Sequence, residues 1–212
     1  MERGPRTCCG RVLGVTTERW AGASAGAGPI VVAGGGLVLR EWSMRDLGVM
    51  TELFDEPEID RWTPLESPFD LDAARRYLTR ADLRRSEGSA LQLAVTQDGG
   101  TALGEVLIFD QGGGVAELGY GIGLAHRGRG LAARAVRVLI GEAATSWSYR
   151  HFRLRIEPEN AASVRVALDC GFARTVEPPA EMESKGRRIR IAVWELSVGP
   201  GRPSGELPGH SG

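Results

Sequence analysis

The chain has 212 residues, 42% hydrophobic and 25% charged, with a formal net charge of -1 and an isoelectric point near 6.3. Those values suit one globular domain with loose ends and give no charge footprint for nucleic acid over the whole molecule, local basic patches aside. No apolar run is long enough to span a bilayer, and Gly and Ala follow the early arginines where a signal peptide needs a dense apolar stretch. A cytoplasmic monomer or homodimer with no membrane or nucleic-acid partner is expected.

Cys8, Cys9 and Cys170 make an odd count without metal spacing, which argues against a disulfide framework and for a reducing compartment. His126, His151 and His210 are scattered, so no metal site is expected.

Residues 1–36 read as a flexible Gly/Ala-rich tail, from the run Ala21 to Pro29 and from Gly34-Gly35-Gly36. Ile30 to Gly36 has the outline of a strand feeding a nucleotide loop, but Leu37 to Glu41 reads as another strand. No helix follows, so the dinucleotide fingerprint fails its context and a linker is expected. Residues 198–212 have the same loose composition, which leaves 37–197 as the folded domain.

Leu37 to Trp42 reads as a strand. Ser43, with Asp46 three residues on, caps a helix through Leu47, Met50, Leu53 and Phe54, and Pro57 ends it. A Pro-containing loop from Trp62 to Pro68 leads to a second helix, capped by Asp70 or Asp72, carrying Ala73, Tyr77, Leu78 and Leu83, and closed by Gly88. The period then falls to two. Leu91, Leu93 and Val95, then Leu103 to Phe109, then Val115 to Ile122 form a meander joined at Asp98-Gly99-Gly100 and Gly112-Gly113-Gly114. A long helix runs from Gly130 to about Trp147, Phe152 to Ile156 is a strand, and Asn160 caps a helix ended by Gly171. Phe172 to Val176 and Arg188 to Leu196 are the last strands, giving a mixed α/β sheet.

The chemistry centres on Arg127-Gly128-Arg129-Gly130-Leu131-Ala132. Gly128 and Gly130 let the backbone approach a ligand, and the loop opens into a helix N-terminus, where free N–H groups and the helix dipole favour a pyrophosphate. Arg127 and Arg129 add positive charge, and Arg134 stands one turn further on. A solvated Arg/Gly turn satisfies the same hexapeptide. The preceding strand carries Gly119, Gly121 and Gly123, which invite a bulge or splayed edge with backbone groups free for an amide-bearing ligand.

The segment Glu117 to Phe172 resembles the cofactor-binding half of the GCN-five-related N-acetyltransferase (GNAT) superfamily. Arg127, Gly130 and Ala132 meet its loop signature, and Asn160-x-x-Ser163 with Gly171-Phe172 is similar to the RimJ/RimL-type branch. Leu37 to Asp46 resembles that branch's opening strand and helix, so the likeness covers residues 37–197. The resemblance implies a central mixed, mostly antiparallel sheet of about seven strands with about four helices, splayed at the cofactor site. It also implies an acetyl-CoA-dependent N-acetyltransferase in which an amine attacks the thioester directly, in a ternary complex without acyl-enzyme.

By the same resemblance Gly121, Ile122, the loop 127–132, Asn160 and Ser163 would bind acetyl-CoA, with backbone N–H groups near Ile122 as oxyanion donors. Glu117 would be the base and Ser163 the acid, because Ala167 stands where many relatives have the acidic tyrosine. Glu117 also reads as an ordinary strand carboxylate, Asn160 as a plain N-cap, and Ser163 as a first-turn helix residue. Leu124 replaces a proline common in relatives. Cys170 has no sequence-near base and reads as a structural thiol. The branch implies a protein amino terminus as acceptor, beside a small-molecule or antibiotic amine and a non-catalytic acetyl-CoA-binding module. Acceptor recognition would fall to Glu58–Phe69 and Glu177–Lys185.

Overall fold

The computed structural model describes residues 29–199. Chain order is β1 (Val31–Gly34), β2 (Leu37–Glu41), a 3-10 turn (Met44–Asp46), α1 (Leu47–Phe54), α2 (Pro57–Trp62), α3 (Leu71–Ser86), β3 (Ala90–Thr96), β4 (Gly104–Asp110) and β5 (Val115–Ile122). A second 3-10 turn (Leu124–His126), α4 (Leu131–Thr145), β6 (His151–Ile156), α5 (Ala161–Asp169), β7 (Ala173–Arg174), β8 (Ala180–Ser184) and β9 (Arg187–Ser197) complete it. The strands form one sheet in the order β1-β2-β3-β4-β5-β6-β9-β7, with β8 also paired to β9. All pairs are antiparallel except β5–β6, which α4 joins by a crossover.

Strand parity divides the sheet into two faces. Leu91, Leu93, Val106, Ile108, Leu118 and Ile122 point to one face, where Ala135, Val136 and Leu139 of α4 cover them. The other face carries Ala94 and meets Met50, Leu53, Phe54, Ala73 and Tyr77 from α1 and α3. Edge-to-face rings of Trp42, Phe54, Phe69 and Tyr77 stiffen that layer, with centroids 5.3–6.1 Å apart in the T-shaped pairs. Arg40 donates twice to Asp46, which also takes the Ser43 N–H and hydroxyl; this locks β2 to the first turn. Asp70, of the two candidates, caps α3 by accepting from Ala73 N–H at 2.8 Å.

Three expectations need correction. The boundary at 36/37 falls inside a β1–β2 hairpin, because Gly35 and Gly36 (φ +57° and +70°) form its turn rather than a linker. The tail residues 1–28 and 200–212 lie outside the described residues, as do Cys8 and Cys9. Pro57 starts α2 at its first position instead of only stopping α1, since that position needs no N–H donor. With β1 and β8 added, the sheet has nine strands, and five α-helices flank it.

Candidate functional site

The glycine-rich loop 127–132 lies where the sequence places it, between β5 and α4. Gly128 and Gly130 have φ of +73° and +67°, and Gly130 is the left-handed N-cap of α4. The first intrahelical bond runs from Arg134 N–H to the Gly130 carbonyl at 3.1 Å, so the N–H groups of Leu131, Ala132 and Ala133 stand at the open helix end. Arg129 donates to the Ala125 carbonyl from an exposed position beside the loop, and the half-buried Arg134 donates to the Gly35 carbonyl. Arg127 is held differently. It donates to the Ile122 carbonyl at 2.9 Å, to Glu58 at 2.6 Å and to Glu56, so two carboxylates already meet its charge and it fastens the start of α2 to the end of β5.

The splay is present. Parallel pairing of β5 with β6 ends at Leu118↔Leu154, while β5 continues on β4 to Ile122 and β6 continues on β9 to Ile156. From Gly119 onward the β6-facing edge of β5 lines a gap. Its position depends on Gly104, where a Cβ would lie 2.3 Å from the Gly121 carbonyl oxygen; only glycine admits that close approach.

One cavity of about 700 Å³ opens through this gap, and its wall includes Glu117, Gly121, Asn160 and Ser163. Four of the expected site residues therefore converge, whereas Ile122 and the 127–132 loop lie beyond the wall at the end of β5. Burial pushes the Glu117 carboxyl above the usual carboxylate range, and Arg155 and Arg153 pull it partly back. Asn160 caps α5, its Oδ1 accepting from Ser163 N–H at 3.0 Å. The Tyr120 hydroxyl donates to the Ser163 carbonyl at 3.1 Å, and burial raises that phenol to about 12. Cys170 is half-buried, and its thiol donates to the Ala133 carbonyl, as a structural cysteine would.

The acceptor side holds groups that sequence reasoning passed over. Glu105 and Gln92, each 4% exposed, share the face of Glu117. Glu105 Oε2 accepts from Trp42 Nε1 at 2.9 Å and from the Tyr77 hydroxyl at 2.6 Å. Burial raises this carboxyl to about 7 even though both hydrogen bonds pull it down. Gln92 Oε1 is buried without a partner. Strand parity was the available signal, since it sets Glu105 beside Leu107 and Phe109 on one face. Glu66, expected near the acceptor mouth, is engaged by Arg76 and Arg80. Arg61 grips Glu157 through three hydrogen bonds of 2.9–3.0 Å and stacks on Trp62, 3.9 Å from the ring centroid.

A splayed β5–β6 gap beside a glycine-started helix is an arrangement with known relatives. The family model for an acetyltransferase (GNAT) domain matches residues 36–173. The chain belongs to this GNAT acetyltransferase family. It is 26% identical over 163 residues to an uncharacterized N-acetyltransferase, p20, of Bacillus licheniformis, covering 76% of this chain and 92% of that one. A putative ribosomal-protein-serine acetyltransferase from Vibrio cholerae superposes with TM-score 0.68 at 20% identity, over 80% of this chain and 98% of its own. The microcin C7 self-immunity acetyltransferase MccE, solved with acetyl-CoA and AMP, gives 0.67 at 20% identity, over 78% and 94%. The GNAT family makes this chain an acetyl-CoA-dependent N-acetyltransferase, with acetyl-CoA as co-substrate and an amine as acceptor. Among the described residues no helix is long and apolar enough to cross a membrane.

Proposed function

We propose that this GNAT enzyme acetylates the primary amine of a small molecule seated in the cavity on the α1–α3 face of the sheet. The carrying observation is the cavity itself. It is walled, about 700 Å³ in volume, and continuous from the β5–β6 gap to an aromatic-lined interior. That size and lining fit a small-molecule site.

In this reading the N–H groups of Leu131, Ala132 and Ala133 and the backbone of 127–130 hold the pyrophosphate, with Arg129 and Arg134 adding charge. The open edge of β5 at Gly121 and Ile122 pairs with the pantetheine arm and takes the acetyl carbonyl, lowering the barrier as negative charge develops on its oxygen. Glu117 accepts the proton of the acceptor ammonium through water, which its raised pKa favours near neutral pH. Asn160 meets the pantetheine with the side-chain N–H groups left over from capping. Ser163 donates the proton that the departing thiolate takes.

A protein amino terminus is the second reading, favoured by the Vibrio cholerae neighbour described as a ribosomal-protein-serine acetyltransferase. An acceptor screen with mass readout separates them, run over small amines and over peptides with varied first residues. Mass gains on small amines are expected; gains confined to peptide amino termini would overturn the small-molecule assignment.

A further inference from the structure

The cavity has a closed end on β4 and β3, one and two strands from β5. β3 and β4 supply it, with Gln92 opposite Leu107 and Glu105 opposite Gly121. Tyr77 closes it from α3, and Trp42, just past β2, bonds Glu105 from behind the wall. Two oxygen acceptors are thus buried together. The Gln92 Oε1 has no partner, and the two hydrogen bonds to Glu105 both fall on Oε2, with no cation among the influences on its carboxyl.

A buried acceptor without a donor destabilises the fold, and a buried carboxylate without a cation costs more. Such a pair at the end of a ligand cavity is suited to a group that brings donors and positive charge. Leu107, between Gln92 and Gly119, and Phe109, opposite Glu117, add apolar wall beside this pair. Glu105 lies one strand spacing from Gly121 on β5, about 5 Å, and Gln92 lies two spacings from β5, about 10 Å.

We propose that this closed end is a subsite for a second, positively charged nitrogen of the acceptor, bound by the Glu105 carboxylate and the Gln92 amide oxygen. The acceptor class is then a small molecule with two basic nitrogens about 5–10 Å apart. One is acetylated at the gap and the other is anchored. This rests on the small-molecule reading above. Of the other charges around the cavity, Arg155 acts on Glu117 and Arg84 reaches Tyr77. Arg61 is paired with Glu157 and Arg80 with Glu66, and Arg84 lies over the Phe109 ring at 5.9 Å.

The test compares three acceptors of equal chain length: an α,ω-diaminoalkane, the n-alkylamine and the ω-amino acid. Their far ends are an ammonium, a methyl and a carboxylate. The diamine should exceed the alkylamine in kcat/KM by roughly tenfold or more, mainly through KM, and the amino acid should be poorest. That ratio should fall towards one in Glu105→Gln and in Gln92→Met. Gln92→Met removes the Gln92 contact with Tyr77 but leaves the bonds of Trp42 and Tyr77 to Glu105, so it keeps the test open if Glu105→Gln fails to fold. Equal kcat/KM for all three ends, or a ratio unchanged in the folded variants, overturns the subsite. A preference for the carboxylate end overturns it too, and assigns the closed end to Arg84. Transfer only to peptide amino termini would instead remove the small-molecule reading on which the subsite stands.

Discussion

Gly130 is the position where the cofactor assignment can be separated from folding. Its φ of +67° is left-handed, and a Cβ added there would meet nothing within 4 Å. The cost of a side chain in the unliganded protein is therefore one of backbone conformation alone, about 1–2 kcal/mol for alanine and less for asparagine, which tolerates that region. For a domain of this size each kcal/mol moves the melting temperature by about 2–4 °C. Gly130→Ala should melt roughly 2–8 °C lower, and Gly130→Asn should lie closer to wild type. Binding should not follow that order. The empty space in front of Gly130 is where a pyrophosphate would approach the helix end, and both side chains intrude on it, asparagine more deeply. Titration calorimetry with acetyl-CoA should show Kd raised roughly tenfold or more in both variants, with Gly130→Asn the weaker binder although the more stable protein. A Kd that tracks the melting temperature, or does not change, would mean that the loop is only a turn.

Other measurements address the carboxylates and the sheet. A raised Glu117 pKa means that wild-type kcat/KM should fall as pH drops through that value; Glu117→Gln should flatten this acid limb and cost about a hundredfold or more in turnover. An unaltered pH–rate profile would remove Glu117 as the base. Glu105 has a folded pKa of about 7 against the ordinary 4.5 of a glutamate, so the folded state binds more protons between those values. Stability should therefore decline as pH rises from about 4.5 through 7, by about 3 kcal/mol at most, relative to Glu105→Gln. Parallel denaturant curves for the two proteins would contradict this. Gly104→Ala forces a Cβ against the Gly121 carbonyl and should cost about 2 kcal/mol, with turnover reduced as the β5 edge shifts. Wild-type melting would show that the contact yields freely.

Much of this architecture is local and so readable along the chain. The alternation of Leu91, Leu93 and Val95, the Asn160 and Asp70 caps, and the turn into Gly130 each declare themselves within a few residues. The failures have local causes too. Pro57 both ends one helix and begins another, and the same residue signals both. Gly34-Gly35-Gly36 has the composition of a linker, yet two left-handed glycines in a row are also what a tight hairpin needs. The convergence of Glu117, Gly121, Asn160 and Ser163 was anticipated through family resemblance rather than periodicity. The Gln92–Glu105–Tyr77–Trp42 group was not anticipated, since Trp42 and Glu105 are 63 positions apart and only the completed sheet unites them. Arg127 shows the opposite limit: its motif position suggested a phosphate, and its side chain turns to Glu56 and Glu58, which only the packing of α2 reveals.

The early end of the β5–β6 ladder has a further consequence. An unpaired strand edge ordinarily invites another polypeptide, and exposed edges are a route to aggregation. Here the gap lies inside the sheet, with β6 across it, rather than along an outer edge, so an approaching chain meets strands on both sides. Only a thin, extended molecule carrying its own amides can complete the ladder. The fold thus keeps an aggregation-prone feature without its usual hazard, and admits by shape what it recognises by hydrogen bonding.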